Sequence, residues 1–85
     1  MSPAEEMKAR KAAADQELKQ AIEACTASLV SLTAAATDAM ADLDRFAADA
    51  TKLKDHAVTL KTSASVCESH LVNVMAAARR RRTCF

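Results

Sequence analysis

Residues 18–78 read LKQAIEACTASLVSLTAAATDAMADLDRFAADATKLKDHAVTLKTSASVCESHLVNVMAAA. Taken at alternating steps of four and three, this stretch visits Leu18, Ile22, Cys25, Leu29, Leu32, Ala36, Ala39, Leu43, Phe46, Ala50, Leu53, Ala57, Leu60, Ala64, Cys67, Leu71, Val74 and Ala78 without meeting a charged or amide side chain. Such steps follow one face of an α-helix, and here they make a heptad seam with Ile22 at position a and Leu18 at d. The expected fold is all-α: one long, mostly continuous helix in a coiled coil or multi-helix bundle with other chains. The alternative is a helical hairpin or a three-helix bundle closed within the chain.

Composition supports that class. The chain has 85 residues and a net charge of +1, room for one small domain at most. Gly is absent, Pro3 is the only proline, and Phe46 and Phe85 are the only aromatics. Ala makes up about a quarter of the residues, a bias toward long helices. A sheet would lack the residues that turn hairpins and fix corners.

Three segments follow. Residues 1–17 are a capped, charged, Ala-rich helical start. Ser2 is placed to cap it, Pro3 fits the first helical position, and Glu5 completes a capping box. Residues 18–78 are the heptad segment, and 79–85 a basic tail. Within the seam, chain reversal is most plausible at Ser31 to Asp38 or at Thr59 to Ser65, where helix formers are modest. A reversal is expected to disturb the four-three count, and the count runs through both places, which favours one helix with a seam about 90 Å long. That helix would leave its apolar row in water, and burying each Leu-sized side chain is worth about 1.5–3 kcal/mol, so other helices should cover it.

The two core rows are unequal. Position a is Ala at 36, 50, 57, 64 and 78, whereas d holds Leu18, Leu32, Phe46, Leu53, Leu60 and Val74. In a parallel homodimer the Ala layers would pair weakly, and Asp49 with Lys54 is the only clearly attractive flanking pair. Val30, Met40, Val58, Val66, Val72 and Met75 widen the stripe near both ends, less so from Asp44 to Lys54. The expected partners are therefore other helical coiled-coil subunits in a hetero-oligomer, with a homo-oligomeric coiled coil as the competitor. In shape the chain resembles short subunits of adaptor, tethering and cytoskeletal or ciliary scaffolds. The absence of a Gln or Arg layer around Leu43 to Ala50 argues against a membrane-fusion bundle.

Nothing in the chain reads as catalytic, and no cofactor is expected. His56 has no nucleophile at a supporting spacing, and without Gly there is no phosphate-binding loop. Cys67 and His70 share a helix face, but zinc needs four ligands, so Cys25 and Cys67 read as small core residues with free thiols. Arg79, Arg80, Arg81 and Arg82 complement the helix macrodipole and offer electrostatic docking to an acidic protein or an anionic membrane surface. Without interleaved aromatics they are a poor nucleic-acid signal. The final Thr83-Cys84-Phe85 matches a short C-terminal peptide motif, and Cys84 a lipidation site. The acidic start and the short charge-free run from Ala24 to Thr37 point to a chain without a secretory leader or transmembrane segment, placed in the cytoplasm, the nucleus or on the cytoskeleton. The expected role is a non-enzymatic scaffold subunit. The alternative is a self-folding helical module that binds a peptide or nucleic acid.

Overall fold

The computed structural model describes residues 2–45 and 49–83. They form two helices, α1 (Pro3–Asp44, 42 residues) and α2 (Ala50–Thr83, 34 residues). The all-α class holds, but the single continuous helix gives way to a hairpin, the alternative weighed above. Its arms lie side by side in a body of 66 × 15 × 14 Å.

Local chemistry sets the ends. Ser2 adopts an extended backbone (φ −73°, ψ 155°) and its Oγ accepts the Glu5 N–H at 3.3 Å, with Pro3 in the first turn. At the other end of α1 the Arg45 N–H donates to the Ala41 carbonyl at 3.1 Å, and Arg45 Nε donates to the same oxygen at 3.2 Å. A new helix then starts at Asp49, whose Oδ1 accepts the Lys52 N–H at 2.9 Å and whose carbonyl accepts the Leu53 N–H at 3.0 Å. The reversal therefore falls at neither expected place. It falls within the narrow part of the stripe, where few apolar contacts would be lost by leaving the helix. Phe46, expected to continue the seam, lies outside the described residues, as do Cys84 and Phe85.

Three cross-helix pairs fix the register: Asp42 with His56, Glu17 with Arg80, and Asp15 with Arg81. Residue n of α1 thus lies at the level of residue ~97 − n of α2, as antiparallel packing requires. The first turns of α1, Pro3 to Ala13, project past the last described turn of α2.

The inner faces are regular. In α1 the least exposed row is Ala14, Leu18, Ala21, Cys25, Ser28, Leu32, Ala35, Ala39 and Asp42; in α2 it is His56, Leu60, Ser63, Cys67, His70, Val74, Ala77 and Arg81. These are the d and g positions of the heptad. The expected a/d seam is thus rotated by about 50° around each helix, so that g takes the place of a between the arms. The g residues are Ala, Ser, Asp and His, and small ones let the backbones approach closely. Ala77 is 1% exposed, and no large side chain is fully buried among the described residues. The buried Ser28 hydroxyl donates to the Cys25 carbonyl at 2.7 Å, so its polarity is satisfied within the helix.

Candidate functional site

The hairpin divides the sequence-predicted seam. Leu18, Cys25, Leu32, Ala39, Leu60, Cys67 and Val74, all at d, face the other arm, and Ala36 is half-buried. The a positions face out: Ile22, Leu29, Leu43 and Leu71 remain 46–53% exposed, and Ala50, Ala57, Ala64 and Ala78 are exposed too. Leu53, at d near the turn, is exposed as well.

Because the arms are antiparallel and both use d and g, the positions beside d come out on the same side of the hairpin. One broad face therefore carries the a rows of both helices, and the opposite face carries the c rows. The Glu17–Arg80 pair joins two c positions, as this geometry demands. Beside each a row runs an e row, which brings Met40 (64% exposed) and Met75 (61% exposed) onto the same face. On α1 the a and e positions from Ile22 to Leu43 include no charge. Their threonines behave as apolar surface, since Thr26 Oγ1 donates to the Ile22 carbonyl and Thr33 Oγ1 to the Leu29 carbonyl, each at 2.9 Å. Covering the exposed half of each large side chain is worth about 1 kcal/mol.

The concavities along this face are open grooves. They follow the outer edge of each helix, where e gives way to b: one beside Thr26, Leu29, Val30, Thr33, Thr37 and Asp38 of α1, the other beside Ser65, Glu68, Leu71, Val72 and Met75 of α2. Such grooves receive side chains from a neighbouring helix, as ridges enter grooves in helix packing.

Charge is distributed by end. The open end, residues 2–19 with 78–83, carries eight cations (Lys8, Arg10, Lys11, Lys19, Arg79, Arg80, Arg81, Arg82) against four anions (Glu5, Glu6, Asp15, Glu17). The turn end, residues 38–56, carries five Asp (38, 42, 44, 49, 55) against Arg45, Lys52 and Lys54. Arg80 and Arg81 are engaged by Glu17 and Asp15 across the hairpin, while Arg79 and Arg82 are exposed on its outer sides. The predicted docking cluster thus has a structural half, which helps set the register, and an outward half. Both ion pairs are solvent-exposed and contribute little to stability.

At the turn end, the His56 Nε2 and Asp42 Oδ2 atoms lie 2.6 Å apart, about a quarter exposed on each side. The hydrogen bond from His56 holds the Asp42 carboxyl below its ordinary value of 3.8, with Lys52, His56 and Arg45 adding attraction and partial burial opposing. Asp42 sits in the last turn of α1, where the macrodipole disfavours a negative charge. The histidine across the gap offsets that. In sequence His56 stands beside Lys54 and Asp55 with no nucleophile at a supporting spacing; its partner is Asp42, fourteen residues away, and only the reversal brings them together.

Cys25 and Cys67 are buried free thiols, and among the described residues no three His, Cys, Asp or Glu side chains gather as a metal-binding group. By length and composition alone, α1 is apolar enough to cross a membrane, with a best-window mean hydropathy of 1.2. Comparison with known proteins finds no matching family model, curated protein or solved structure.

Proposed function

We propose that this protein is a non-enzymatic assembly subunit: a helical hairpin that packs its a/e face against further helices to build a multi-helix bundle. The observation that carries the reading is the placement of large side chains. Between the arms the g row is small or polar and the d row adds only Leu18, Leu32, Leu60 and Val74 as large apolar residues, while Ile22, Leu29, Leu43, Leu71, Met40 and Met75 stand about half or more exposed on one face. A two-helix hairpin with so little buried apolar surface is marginal alone, and added helices supply the missing core. The partners are helical subunits with an apolar stripe of similar length. Between parallel rods, g and e would flank the contact. In the hairpin g is already occupied by the other arm, so the flanking code of the assembly is read from e instead. Arg79 and Arg82 add an outward basic patch at one end, suited to an acidic surface on a partner.

Light scattering and circular dichroism on the purified chain test this. The expected result is an oligomer, or a poorly helical monomer that gains helicity with a partner. A helical monomer with a cooperative thermal transition, indifferent to Leu29→Asp with Leu43→Asp, would refute the assembly role.

A further inference from the structure

We infer that the occupant of the a/e face is a second copy of this chain, turned end for end, so that two hairpins form an antiparallel four-helix bundle with their turns at opposite ends. This rests on the assembly reading above and names its partner.

Three observations locate one twofold axis. The a row of α1, from Ile22 through Leu29 and Ala36 to Leu43, is centred between Leu32 and Thr33. The a row of α2 runs from Ala50 to Ala78 and is centred on Ala64. The hairpin register set by Asp42–His56 and Glu17–Arg80 places those two centres at the same level. A twofold there sets Leu29 against Ala36 of the second copy, large against small, and brings α2 against α2 along its Ala-lined row, where backbones can approach closely.

Charge selects this arrangement over the parallel one. Lys61 and Glu68 are exposed e residues on either side of Ala64, and the axis sets Lys61 against Glu68 of the second copy, twice by symmetry. The same turn sets Arg79 and Arg80 of each hairpin level with Ala50 and Asp49 at the Asp-rich turn end of the other, while Lys8, Arg10 and Lys11 project beyond it. A parallel dimer would instead place the two cationic ends together. About that axis α1 overlaps its counterpart over residues 21–44 and α2 over 50–79, about 40 Å of a face 15 Å wide, which offers roughly 600 Å² per partner and about 1,200 Å² in total, the size expected of a biological interface.

The test uses the full chain with Cys84→Ser, which leaves the buried Cys25 and Cys67 in place. Light scattering should return twice the 9.1 kDa chain mass. Under mild oxidation Ala64→Cys should cross-link to itself, whereas Ala57→Cys should not, because the two copies of residue 57 would lie about 20 Å apart. Lys61→Glu should weaken self-association by about three- to tenfold, and Lys61→Glu combined with Glu68→Lys should restore it. A monomer that becomes helical only with a different helical protein, or that floats with phosphatidylcholine–phosphatidylserine vesicles, would overturn the second copy as partner. The vesicle result would also overturn the assembly role; the helical-protein result would not. A dimer in which Ala57→Cys cross-links as readily as Ala64→Cys would overturn the antiparallel arrangement.

Discussion

The inner seam and the outer face of this hairpin differ in a way that reverses the usual order of a small domain. Between the arms lie Ala14, Ala21, Ala35 and Ala77 with Cys25, Cys67 and Ser28, and only four large apolar residues, Leu18, Leu32, Leu60 and Val74, each partly exposed; on the outside lie Ile22, Leu29, Leu43 and Leu71 with Met40 and Met75. Small inner residues bring two helices close but release little apolar surface from water. Large outer residues hold most of the driving force in reserve for a contact outside the hairpin. The inner seam therefore sets shape and register, and the outer face sets whether the molecule is stable enough to persist.

Substitutions should separate the two. The largest effect is expected on the outer face: Leu29→Asp with Leu43→Asp should abolish assembly in light scattering and, if the hairpin depends on it, most helicity. Next is the inner seam, where Ala77→Leu forces extra methyl groups into a closely approached site and should cost about 1–3 kcal/mol in denaturant unfolding, while leaving the oligomer's mass unchanged where it remains folded. Asp49→Ala removes the cap that restarts the chain as α2 and should cost about 1 kcal/mol by the same measurement.

Smaller still is the contribution of the Asp42–His56 pair. Asp42 has its folded-state carboxyl pKa depressed, so its stabilisation is present above about pH 4 and disappears as pH falls through the lower folded value. His56→Ala should accordingly lower the melting temperature slightly at pH 6, and the gap to the parent should close toward pH 2. A gap that persisted unchanged to pH 2 would show His56 acting by packing alone.

Much of this was legible from local pattern. The Ser2 cap follows from Ser2-Pro3-Ala4-Glu5, and the d row follows from the four-three count, which is why Cys25 and Cys67 appear buried as expected. The reversal escaped because the count survives it: Ala39 and Leu60 are both d residues, a whole number of heptads apart, so a return that pairs d and g with d and g disturbs no periodicity. The signal that marks it is the narrowing of the apolar stripe from Asp44 to Lys54, joined to a capping Asp49. The role of g could not be read from residue type, since Ala and Ser suit a solvent-facing row as well as a close-packed one.

Composition and periodicity by themselves determined that the chain is helical, where α1 begins, and that a row of d residues would be covered. Only tertiary structure decided what covers it. A helix's own pattern records which residues avoid water, but not from which side a neighbour arrives. That side was chosen by how closely two backbones can approach along g, and the choice turned Ile22, Leu29, Leu43 and Leu71 outward.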